Sequence, residues 1–157
     1  MYFTRTRKGK QQEMELYNFS PKPPTIPLLF MSEYEKIMAL KVEKQIMMYM
    51  QDISIEKNPT TLLTEITEVV THNQLVADEA YCFLMKQTTA NMKACSEQMG
   101  WEMMCYLLAH AKPSRTLYPF VLSYIVKALF EVDMQVSSNR MKKYIMNFDW
   151  LNEWMNK

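Results

Sequence analysis

Asp78-Glu79-Ala80-Tyr81-Cys82-Phe83-Leu84-Met85-Lys86-Gln87-Thr88-Thr89 is the stretch on which the fold turns. Asn73 stands upstream of it as a helix cap, and Leu75, Val76, Tyr81 and Leu84 then share one helical side. That pattern predicts a helix with Asp78, Lys86 and Gln87 at its rim. Asp78 and Glu79 are neighbours, so on a helix they point about 100° apart and cannot face one substrate as a general acid and base. A structural use follows, with one carboxylate capping or pairing and the other meeting solvent. Downstream, Gly100-Trp101-Glu102 opens an apolar run through Ala109, and Pro113-Ser114 closes it. With only Glu102 polar in that run, the helix is expected to be the most buried one, with Ser96 as a candidate cap. Trp101 is expected to wedge between helices, because the glycine before it permits close approach.

Upstream, Ser32 and Glu35 form a capping-box pattern, followed by Tyr34, Ile37, Met38, Val42, Ile46 and Tyr49 at spacings of three and four. This predicts a helix over Ser32 to Met50. Asn58-Pro59 is a cap followed by proline at the first helical position, and Leu62, Leu63, Ile66, Val69 and Val70 supply its apolar stripe to about His72. Before both, Pro21, Pro23, Pro24 and Pro27 hold the chain extended, with Leu28 and Phe30 available to pin it to the core. Past Pro113-Ser114, a cap at Thr116 places Pro119 where the missing donor costs nothing, so Leu117 to about Val132 reads as helix. A last helix from Ser137 or Ser138 would use Met141, Ile145, Phe148, Trp150 and Leu151. Residues 1–17 carry Arg5, Arg7, Lys8 and Lys10 and read as a disordered basic arm; 18–157 reads as a single helical domain.

Composition excludes several classes. At 157 residues, 48% hydrophobic and 22% charged, the chain suits one folded domain. Only two glycines, Gly9 and Gly100, leave little for hairpins or phosphate-cradling loops. A formal charge of +1 provides no global field toward nucleic acid or acidic membranes. The runs Met103 to Ala109 and Leu117 to Val126 fall short of the roughly 18 residues that a bilayer span needs. Three cysteines without regular spacing point to reduced thiols and a cytoplasmic setting.

The ordered anchors resemble a myosin tail homology 4 domain: the acidic pair, Tyr81-Cys82, Lys86-Gln87 with its polar run, Gly100-Trp101 and Pro113-Ser114. Pro27-Leu28-Leu29 and Tyr49-Met50-Gln51-Asp52 extend the resemblance over roughly residues 18–145. It departs from the family where Ala77 replaces an arginine, Phe83 a glutamine and Gln51 a glycine. The first two lack the groups of an interhelical ion pair that the resemblance implies, and the third lacks the glycine of a turn. The resemblance implies a non-enzymatic binding module of unconventional myosin or kinesin tails, recruiting cargo, adaptor proteins or microtubules, and followed by a FERM domain in a longer host. Since 157 residues leave no room for a motor or FERM domain, an excised piece, a short product or a solitary domain is expected.

Microtubules are acidic, so that activity would call on Lys112, Arg115 and Lys127, with Arg140, Lys142 and Lys143; the plain alternative is a solvated charged face. Asp78, Glu79, Tyr81, Lys86, Gln87, Gly100 and Trp101 are expected to be structural. Met47, Met48, Met50, Met103 and Met104 are read as core rather than a peptide surface. Neither Cys82, Cys95 and Cys105 with His72 and His110, nor Glu68 with His72, matches a metal-ligand spacing, and no metal or cofactor is expected. Other readings are a domain of a Rho-GTPase-activating or pleckstrin-homology adaptor, a small nucleic-acid binder using the basic arm, and a helical enzyme using Cys105 and His110. The fold expected is all-α, a compact bundle of about six helices with an extended proline-rich N-terminal segment.

Overall fold

A computed structural model of the chain describes residues 18–54 and 57–130, the side chains of 129 and 130 excepted. The basic arm at residues 1–17, the last helix predicted from Ser137 or Ser138, and Arg140, Lys142 and Lys143 lie outside the described residues. Five helices are present among those described: α1 Glu33–Tyr49, α2 Pro59–His72, α3 Gln74–Thr88, α4 Ala94–His110 and α5 Tyr118–Phe130. No strand occurs among the described residues. The bundle is all-α, and residues 18–32 run irregularly across it as a strap.

Local chemistry starts three of the helices as the residues dictate. Ser32 Oγ accepts from the Glu35 amide while Glu35 reaches back to the Ser32 amide, a complete capping box. Asn58 Oδ1 caps α2 through the Thr60 amide, with Pro59 at the first position. Asn73 Oδ1 accepts from both Leu75 and Val76, so α2 and α3 are separated by a single residue that starts the second.

The other two starts differ from the sequence reading. Helix α4 begins at Ala94 after Lys93, which supplies no side-chain cap. Ser96 is buried inside the first turn, donating to Asp52 Oδ2 at 3.0 Å and accepting from Asn91 Nδ2 at 2.9 Å. It is spent on joining α4 to the end of α1. At α5 the entry is held by Ser114 rather than Thr116: its carbonyl accepts from the Leu117 and Tyr118 amides, and its hydroxyl also accepts from Leu117. Pro119 does fall in the first turn, where no intrahelical partner is lost.

Helix α3, rather than α4, occupies the centre and touches all four other helices. Its core contribution is Val76, Ala77, Ala80, Tyr81, Phe83 and Leu84, against Val42, Ile46, Met47 and Met50 of α1, Ile66 and Val70 of α2, and Met103, Met104 and Leu107 of α4. Five core methionines fill this interior, as expected of an unbranched side chain that adapts to irregular gaps. Ala77 and Phe83, where an arginine and a glutamine are expected from the resemblance, are both buried apolar packing. The stripe on α1 is buried only from Ala39 onward; Tyr34 and Ile37 are exposed, and Phe30 points wholly into solvent instead of pinning the strap.

Candidate functional site

The polar residues of α3 are used from within. Asp78 Oδ1 accepts from the Ser114 amide at 2.8 Å and from Gln74 Nε2 at 3.2 Å, fixing the α4–α5 connection. Tyr81 donates its hydroxyl to the Ala111 carbonyl at 2.7 Å, a second tie to the same connection. Glu79 is fully buried and faces the opposite way: Oε1 accepts from the Leu28 amide at 2.6 Å and Oε2 from the Leu29 amide at 2.7 Å. Gln87, also fully buried, pairs with both backbone groups of Ser20, accepting at 2.9 Å and donating at 3.0 Å. The Phe19 amide adds a bond to the Thr89 carbonyl at 3.0 Å.

Asp78 and Gln87 are therefore interior struts, not rim residues. Neither carboxyl of the acidic pair faces solvent, and the Glu79 carboxyl, accepting two backbone amides, holds the strap where Leu28 and Phe30 were expected to pin it. The proline run explains why a side chain was needed: an extended segment lacks internal hydrogen bonds, and its amides must find acceptors elsewhere.

Gly100 brings α4 against α1 and α3. A Cβ there would lie 2.7 Å from Thr88 Cγ2 and 2.8 Å from Met50 Cε, so the glycine serves a close approach to these side chains rather than to the Trp101 ring. Trp101 is buried and stacks on Tyr124 of α5 with centroids 5.4 Å apart and planes 13° from parallel. It is an interhelical wedge, as its residue type suggests. Tyr124 completes the joint, donating to the Met85 carbonyl at 3.1 Å and meeting the hydroxyls of Thr88 and Thr89.

Beside the strap lies an open, mainly apolar cavity of about 450 Å³, lined by Leu28, Leu29, Cys82, Met85, Lys86, Thr89 and Tyr124. Lys86 is its one charged lining group among the described residues. Burial pushes the Cys82 thiol up to about 12, with Glu79 and Asp78 adding to the effect, so this thiol is inert at neutral pH. Burial also raises Cys105, to about 11. His110, on the exposed end of α4, stacks on Tyr106 and meets the Tyr106 carbonyl through Nδ1. No activated thiol–imidazole pair is assembled. Cys95 is exposed at the first turn of α4. His72 Nδ1 bonds the backbone carbonyl of Glu68, not its carboxylate, and no metal-binding group of side chains occurs among the described residues.

Of the basic residues singled out earlier, three fall among the described residues, and they sit on different parts of the fold. Lys112 and Arg115 are exposed on the α4–α5 connection, while Lys127 is exposed near the far end of α5. At 1.5 Å per residue, Lys127 lies about 14 Å along the helix from its start. Four apolar side chains not predicted to be surface features, Ile26, Phe30, Tyr34 and Ile37, are exposed along the strap and the first turns of α1. The spacing of Tyr34 and Ile37 was legible as part of a helix stripe, but periodicity carries no sign of which turn overhangs the bundle.

Residues 63–148 match the MyTH4 domain. Drosophila melanogaster Myosin-VIIa is 34% identical over 108 residues, covering 64% of this chain and 5% of that protein. Among solved structures, the Dictyostelium discoideum Myosin VII MyTH4-FERM MF2 domain superposes with a TM-score of 0.75 at 22% identity, over 91% of this chain and 33% of that one. The human Myosin 7b C-terminal MyTH4-FERM domain, in complex with the harmonin-a PDZ3 domain, gives 0.62 at 24% identity, over 83% and 28% respectively. The chain spans between 5% and 7% of the length of the myosin heavy chains it matches. The match covers more than half of the chain, and with the strap, the α3 struts and the Gly100-Trp101 wedge in place, this chain belongs to the MyTH4 domain family.

Proposed function

We propose that this chain is a non-enzymatic protein-binding module that recruits a cargo or adaptor protein in a myosin tail, in a cytoplasmic, cytoskeleton-associated setting. The observation that carries the reading is the use of Asp78, Glu79, Tyr81 and Gln87 as internal ties. With those groups satisfied by backbone, what α3 offers outward is a shaped surface rather than reactive chemistry. The exposed Ile26, Phe30, Tyr34 and Ile37 supply apolar area of the kind that protein contacts use. A related human myosin tail has been captured with a PDZ domain, which makes adaptor domains the first partners to try. In a longer host chain a FERM domain would adjoin it, as in the solved relatives.

Lys112, Arg115 and Lys127, together with Arg140, Lys142 and Lys143, are proposed as the groups that meet an acidic partner, microtubules included. Co-sedimentation with microtubules and pulldown with adaptor domains test the two partner classes side by side. Binding that weakens steeply with salt and is lost when Lys112, Arg115 and Lys127 become glutamate supports the microtubule arm. Salt-insensitive capture of an adaptor, lost on Phe30→Asp, supports the adaptor arm. A well-folded sample that binds neither removes the proposal.

A further inference from the structure

Glu43 of α1 is the most anomalous polar residue among those described. It is fully buried, and neither carboxyl oxygen has a hydrogen-bond donor among the described residues. A buried carboxylate without donors is costly, and such a group takes up a proton instead. What faces it is Glu79, whose two oxygens already accept the Leu28 and Leu29 amides. Two carboxyl groups side by side supply only acceptors unless one carries a hydrogen. The charged groups that act on Glu43 are Glu79 and Lys86, both on α3.

We propose that Glu43 and Glu79 hold a single proton between them as a buried acid pair, and that losing this proton unlatches the Leu28–Leu29 end of the strap from α3. Glu43 is the member that carries the proton, because both Glu79 oxygens already accept backbone amides while neither Glu43 oxygen has a donor. Burial, then the hydrogen bond and charge of Glu79, push the Glu43 carboxyl up to about 9, against an opposing pull from the Lys86 ammonium. When Glu43 ionises, two anions occupy one interior site. Glu43 is fully buried on α1, whereas Glu79 is covered by the Leu28–Leu29 end of the strap, away from the Ser20–Lys22 hydrogen bonds that brace its other end. Relief therefore comes from the strap: Leu28 and Leu29 lift, and water reaches Glu79 from the adjoining cavity, which those same two leucines line.

The other end of the strap has no such dependence. Ser20 is held by the neutral amide of Gln87 and Phe19 by the Thr89 carbonyl. Residues 19–20 act as the pivot and residues 28–29 as the moving end. This device is independent of what the module binds, and it places a proton-controlled cover over the wall formed by Cys82, Met85 and Lys86.

Carbon-detected NMR of the full chain tests it without relying on amide-proton lifetimes. The carboxyl carbon of Glu43 and the amide nitrogens of Leu28 and Leu29 are followed from about pH 6 to about pH 10, a range that brackets alkaline titration of a buried acid. The expected result is one shared titration of all three signals, with Phe19 and Ser20 unmoved. In Glu43→Gln, which cannot ionise, the Leu28 and Leu29 nitrogens should stay at their latched positions throughout. A Glu43 carboxyl carbon already at its ionised position at the start of the titration, and unmoved through it, overturns the proposal, as do leucine shifts that are the same in wild type and Glu43→Gln. Should the variant fail to fold, the wild-type titration still decides, since a Glu43 transition with no response at Leu28 and Leu29 also refutes the latch.

Discussion

Gln51 adopts φ 60°, the left-handed region that disfavours any side chain. The reason lies in the end of α1: the Gln51 amide bonds the Met48 carbonyl and the Asp52 amide bonds the Met47 carbonyl, the paired closure of a Schellman turn. The turn forms although the glycine expected there is missing, so the backbone carries strain that glycine would relieve. Gln51→Gly should raise stability by about 1 kcal/mol, the left-handed cost less glycine's added chain entropy, visible as a higher urea midpoint at unchanged slope. Gly100 poses the reverse case. Gly100→Ala sets a methyl against Thr88 Cγ2, and a β-branched side chain at a helix end cannot swing away as Met50 can. A loss of about 1–3 kcal/mol is expected by thermal or chemical denaturation. At this scale the sequence was informative where a residue has one job. It was silent where a residue type permits several, which is why the Gln51 turn could not be resolved without coordinates.

Elements were legible to the extent that their starts are chemical. Ser32, Asn58 and Asn73 each cap the helix their spacing predicted, because a cap depends on three or four neighbouring residues alone. Ser96 and Thr116 were misread for the same locality. Each hydroxyl is chemically fit to cap, but Ser96 is claimed by Asp52, 44 residues away, and the α5 entry is claimed by Ser114. The strap shows the limit most clearly. Its extended course followed from four prolines, whereas its anchorage through Glu79 and Gln87 spans 50 or more residues and has no local sign. Tyr81→Phe probes the opposite face of α3, where it would leave the buried Ala111 carbonyl without its donor. A loss of about 1–3 kcal/mol should follow, with little change in helix content by circular dichroism.

Considered whole, the molecule converges on α3, with a core joined through one helix and polar ties leaving both of its sides. Such an arrangement should unfold as one cooperative unit. Its pH dependence has a definite sign. Because the folded Glu43 carboxyl sits near 9 against an ordinary value of 4.5, folding takes up a proton between those limits. Stability should therefore decline as pH rises through that window, by up to about 1.4 kcal/mol per pH unit, and Glu43→Gln should flatten the decline. Glu35 and Glu65 act oppositely: their carboxyls are lowered, chiefly by hydrogen bonds from Ser32 and Lys57, so what they add fades as acid is increased below the usual carboxylate range. Urea melts at several pH values, for wild type and Glu43→Gln, read both effects.

The contrast among the three thiols has a practical use. Cys105 is buried and Cys82 half-buried, both reluctant to ionise, but Cys95 stands in water at the opening of α4, one residue from buried Ser96. A maleimide dye offered to the native protein near neutrality would select that position unaided, giving a fluorescent reporter for partner titrations without any engineered handle.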